Sequence, residues 1–167
     1  MRQLPVFLVL LGLVAFYVVF EFGPRGEKYG KLKTFDRTSF YSPKSVPAKL
    51  KELAPFRDVY LDQERTPDLI FPLLYSAMFA VAIQALLGPG RERWWWLVFV
   101  PIGAAVADYA ENLSVMALLR GNQEQPGGVA VVASTASALK GSLLLLSFGL
   151  VALLLLCATY ARFRPAR

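Results

Sequence analysis

The chain has 167 residues, the length of one domain, with 56% hydrophobic residues and a formal charge of +6. Soluble domains run nearer about 45–50% apolar, and here the apolar residues form long blocks rather than a core periodicity, which marks a membrane protein. There is no histidine and one cysteine, Cys157. His-ligated haem or zinc, Ser-His or Cys-His catalysis, an internal disulfide and a Cys-rich metal site are therefore excluded.

No cofactor or metal is expected. The basic residues gather in one polar loop and at segment ends, where they meet lipid phosphate. The expected partner is thus the lipid bilayer and not nucleic acid.

Residues 4–22 are almost wholly apolar and, at about 1.5 Å per residue, long enough to cross a bilayer. The run exceeds a secretory h-region, and Phe20-Glu21-Phe22-Gly23 lacks a small-x-small cleavage site, so an uncleaved first span is expected. Residues 23–67 are polar, with ten Lys or Arg against six Asp or Glu. Within them Ser45 and Pro47 predict a helix start. Val46, Leu50 and Leu53 then share one face of a short amphipathic helix, which Pro55 ends. The stretch from Phe56 to Glu64 reads as further helix leading into the membrane.

Thr66-Pro67-Asp68 predicts a capped start for the second span, 68–88, which Gly88-Pro89-Gly90 stops. Trp94-Trp95-Trp96 is an interfacial anchor at the head of the third span, 95–119. The fourth span, 129–160, exceeds a minimal crossing and has to tilt or protrude. Four spans put both termini on one side. Arg2, Arg91, Arg93, Arg162, Arg164 and Arg167 share that side and Arg120 lies on the other, so the termini are expected in the cytoplasm. The expected fold is an all-α integral membrane four-helix bundle, one membrane domain over 1–167, with a partly helical extracytoplasmic loop between spans one and two.

Polar residues inside the third span are the exception to this pattern. Asp108, Glu111 and Asn112 are spaced i, i+3 and i+4, so they project from one helix face. A charge at mid-membrane costs at least about 2.5–3.5 kcal/mol and normally faces a partner or a wet cavity. Lys140 is the one Lys or Arg within an apolar segment. Asp108 precedes Arg120 by as many residues as Lys140 follows Gly128, so antiparallel helices joined between those points place the two at equal depth. Ser134, Ser137 and Gly141 add a strip of small residues that lets two helices approach closely.

This count predicts an Asp108–Lys140 ion pair. Glu111 is left as a surplus carboxylate, to be met by Tyr75 and Asn112, with Arg57 from the loop as a further contact. The predicted site is a polar pocket lined by Tyr75, Asp108, Glu111, Asn112, Ser137 and Lys140, opening beneath residues 56–65.

The order Arg57-x-x-Tyr60, Asp68-x-x-Phe71-Pro72-x-x-Tyr75, Asp108-x-x-Glu111-Asn112 and a lysine in the last helix resembles a group of small bacterial four-span integral membrane proteins, over roughly residues 42–158. That resemblance implies a bacterial inner membrane location and brings no activity with it. The expectation is a non-enzymatic membrane protein, either an accessory subunit of a larger membrane complex or a lipid or small-ligand binder. The alternative is a small membrane enzyme or proton-linked transporter using Glu111 and Asp108.

Overall fold

The computed structural model describes residues 3–24, 32–35, 38, 40–87, 92–121 and 127–163. Among these residues there is no strand. Helix α1 (Leu4–Phe16) runs into a π-helical turn (Tyr17–Phe22). In the loop, α2 (Val46–Leu53) and α3 (Arg57–Arg65) follow, and then α4 (Pro67–Leu87), α5 (Phe99–Arg120) and α6 (Gly127–Phe163). Four segments are long and apolar enough to cross a membrane: Leu4–Phe22, Pro67–Leu87, Arg93–Arg120 and Gly127–Ala161. They agree closely with the four spans expected from hydropathy. The Gly88-Pro89-Gly90 stop lies outside the described residues.

Small side chains decide how closely the central helices approach. Ala104 and Ala105 of α5 and Ala130, Ala133 and Ala136 of α6 are buried, and a Cβ added at Gly103 would come 3.3 Å from the Leu143 side chain. With lipid outside as apolar as leucine, it is this fit that holds the two helices together. At 37 residues, α6 is about 55 Å long and overruns a hydrocarbon core of about 30 Å.

The buried apolar residues form three layers along the bundle. One joins Phe35, Tyr41, Val46, Leu50, Leu53 and Tyr60 of the loop to the adjoining ends of α5 and α6, at Leu119 and Ala130. The middle layer contains Met78, Phe79, Ala104 and Ala105. The third gathers Ile83, Leu87, Val98 and Leu154 at the far end. In contrast, α1 and its π turn bury no residue. Phe7, Leu10 and Val14 are only partly covered, by the middle layer.

The loop is therefore a folded roof over one end of the bundle. Val46, Leu50 and Leu53 are its buried face, as their spacing predicts. One local detail differs from expectation. Ser45 does not cap α2; its hydroxyl donates to the Ser42 carbonyl at 2.7 Å, while Ser42 Oγ accepts from the Lys44 amide at 3.3 Å. As expected, the α-helix stops just before Pro55, at Leu53. Pro55 stands in a 3-10 turn, Ala54–Phe56, that leads directly into α3; a proline in a first turn forfeits no hydrogen bond. Tyr60 is fully buried and its hydroxyl accepts the Phe35 amide at 3.0 Å. Ser134 of α6 donates to the Tyr41 carbonyl and so ties roof to bundle.

Candidate functional site

The site begins with a missing hydrogen bond. In a regular helix the Asp68 carbonyl would accept the amide of residue 72, but Pro72 has none. The freed carbonyl accepts the Asn112 side-chain amide at 2.8 Å instead. One residue further on, the Leu69 carbonyl accepts the Tyr109 hydroxyl at 2.6 Å. Helix-breaking prolines are tolerated in membrane spans where a neighbouring helix re-satisfies the backbone in this way. Two side chains of α5 thus clamp the first turn of α4.

On the same face of α5, Asp108 and Glu111 close on Lys140 of α6. The ammonium lies 3.2 Å from Asp108 Oδ1 and also pairs with Glu111 Oε2. Tyr75 of α4 donates to the other Asp108 oxygen at 3.0 Å. Glu111 is 1% exposed, and the buried Ser137 hydroxyl faces it from α6. From the roof, Gln63 donates to the Asp68 carboxylate at 3.2 Å. A polar chain therefore runs in two parts. One goes from Gln63 through Asp68 to Asn112 by hydrogen bonds. The other goes from Tyr75 through Asp108 and Lys140 to Glu111 by a hydrogen bond and ion pairs. The α5 backbone between Glu111 and Asn112 joins them.

Beside this chain lies a cleft of about 240 Å³. Its polar wall is Asp68, Tyr75, Asp108, Asn112 and Lys140, and its apolar wall is Phe22, Phe71 and Leu144. The rings form an edge-to-face series, with centroids 5.0 Å apart for Phe22 and Phe71 and 5.5 Å for Phe71 and Tyr75.

The Asp108–Lys140 pair stands as the depth count places it. Four of the predicted pocket residues, Tyr75, Asp108, Asn112 and Lys140, line the cleft. Glu111 and Ser137 do not line it; they are shut behind Lys140, because Glu111 reaches inward to the ammonium. Tyr75 meets Asp108 rather than Glu111, and Asn112 meets the Asp68 backbone. Arg57 opens α3, and both ion pairs of the cluster run to Lys140 instead. The walls are Phe22 and Phe71, not residues 56–65. Asp68, Phe22 and Phe71 were not expected in the site. Asp68, Phe71 and Tyr75 do share a helix face by their spacing of three and four, and that was the available signal.

Two stability measurements check this geometry, both by thermal unfolding in micelles. Lys140→Met leaves two carboxylates buried without their cation and should cost about 3–5 kcal/mol. Adding Asp108→Asn and Glu111→Gln to it should recover most of that loss; a triple variant as unstable as the single one would show the three groups uncoupled. Asn112→Leu strands a buried carbonyl and should cost about 1–3 kcal/mol. Combined with Pro72→Ala, which returns the missing amide to α4, the same substitution should cost distinctly less. Equal costs in both backgrounds would refute the clamp.

No protein-family model, curated protein or solved structure matches this chain, so the function is argued from the geometry of the cleft and its polar wall.

Proposed function

We propose that this is a bacterial inner-membrane protein that binds a lipid or other small amphiphile in the cleft beside Asp108 and Lys140. The observation that carries this is the cleft itself, where fixed polar side chains and aromatic rings line one space within the bundle. Sites for small ligands combine an apolar lining with a few convergent polar groups in this way. At about 240 Å³ the space is below the roughly 300–1,000 Å³ usual for a drug-sized ligand, which suits a headgroup with its tail left outside. Asp68 opens the second span, and Tyr75 lies seven residues deeper, about 10 Å by helical rise, so the cleft covers the depth at which a headgroup meets its chains. Its opening favours ligand binding over a purely structural role as the subunit of a larger complex. The proton-linked or enzymatic alternative depends on Glu111 and Asp108, and the burial of Glu111 behind Lys140 weighs against it.

In this reading the termini are cytoplasmic and the roof extracytoplasmic, as the arginine asymmetry suggests. With Cys157 replaced by alanine, an impermeant thiol reagent should label Glu52→Cys but not Phe163→Cys in intact cells stripped of their outer membrane. The opposite pattern would invert the topology.

Ligand binding itself is tested by gentle purification followed by native mass spectrometry. The protein should retain an amphiphile. Leu144→Trp, which fills the cleft from a residue outside the ion pairs, should release it while the helical circular-dichroism signal and a single monodisperse elution peak are kept. Undiminished retention in that variant would place the amphiphile on the outer surface and end the proposal.

A further inference from the structure

We infer that the cleft selects an amphiphile whose headgroup ends in an organic ammonium, whatever anion lies behind it; this rests on the reading of the cleft as an amphiphile site. Three headgroup classes could enter it: neutral hydroxyl, anionic phosphate and cationic ammonium. The side chains that line the cleft distinguish among them. Two carboxylates, Asp68 and Asp108, stand in its polar wall, and both repel an anion. Lys140 also lines it, yet its charge is already met from behind by Glu111, which the cleft does not reach. The lysine is therefore not a free anion-binding group. Asp108 is held by Lys140 through one oxygen and by Tyr75 through the other. A carboxylate has lone pairs left for a further donor, so it can be shared with an incoming cation while the Glu111 pair keeps the lysine met.

The aromatic part of the lining supports the same class. Phe22, Phe71 and Tyr75 line the cleft in edge-to-face contact, and an aromatic face attracts an ammonium through its quadrupole, more strongly where water is excluded. A neutral polyol can hydrogen-bond to the polar lining but gains nothing from the rings, whereas an ammonium engages both. Aromatic rings and a shareable carboxylate lining one space are the two features that favour an alkylammonium group.

The cation could belong to a membrane lipid or to a free amine, and the experiment separates them. The protein in a neutral maltoside detergent is titrated with phosphatidylethanolamine, phosphatidylglycerol, diacylglycerol and, separately, ethanolammonium chloride. Binding is read by native mass spectrometry for the lipids and by the shift in melting temperature for the salt. Phosphatidylethanolamine should bind in preference to the other two lipids. Phe71→Leu and Phe22→Leu should each weaken it about 2- to 30-fold, the range of one cation–π contact. Phe22 sits in a segment that buries no residue, so its variant keeps the fold. Asp108→Asn should weaken binding about tenfold or more. A shift with ethanolammonium chloride alone that Phe22→Leu abolishes would support the ammonium site and assign it to a free amine. Phosphatidylglycerol or diacylglycerol bound equally well, and displaced by Leu144→Trp, would overturn the ammonium selectivity while leaving the amphiphile cleft standing. No binding of any of the four would overturn both.

Discussion

Lys140 stands in the middle of a helix otherwise made of leucine, alanine and other small or apolar residues, and two carboxylates of the neighbouring span close on it. An ammonium among apolar helices needs its counter-charges close by, so its partners must be within reach of one geometry. Asp108 and Glu111 lie one turn apart on the same face of α5. Sliding α5 along α6 by a turn, about 5.4 Å, would leave one of them without the lysine, and rotating it would lose both. The alanine surfaces of the two helices permit close contact at more than one register. The charged trio is what distinguishes among those registers, the use for which buried ionic groups are best attested.

A second constraint follows from Pro72. By removing one amide it frees the Asp68 carbonyl, and the nearest donor is Asn112, the residue after Glu111. The register that pairs α5 with α6 is thereby passed on to α4. Tyr75 then falls opposite Asp108 and closes the polar set from the third side. Asp68 also receives Gln63 from the roof, so the residue that Asn112 holds by its backbone is tied to the loop by its side chain.

What was legible in the sequence follows the same physics. Depth in a membrane depends on rise per residue, which is nearly constant, so counting from the turn between Arg120 and Gly128 found the Asp108–Lys140 pair. Azimuth depends on how helices rotate against each other, and residue counts do not contain it. Tyr75 was accordingly matched with Glu111 instead of Asp108, and Asn112 with a carboxylate instead of a backbone carbonyl. The three spans beyond the loop and the buried face of α2 were readable because their apolar runs and spacing are strong. The role of Phe22 was not, because the π turn at Tyr17–Phe22 alters the rotation that an α-helical count assumes.

The cleft is built from unequal walls. Asp68, Tyr75, Asp108, Asn112 and Lys140 are locked by hydrogen bonds to one another or to the backbone. The first span contributes no buried residue and meets the cleft through one ring, Phe22, packed on Phe71. Displacing that ring breaks no hydrogen bond of the polar chain and opens no hole in the three apolar layers. The polar wall is therefore fixed by the same interactions that fix the fold, whereas the aromatic wall owes its position to a peripheral helix. A site that must discriminate by charge and still admit a chain-bearing molecule from the bilayer needs that division: rigid where the headgroup is read, yielding where the tail has to pass.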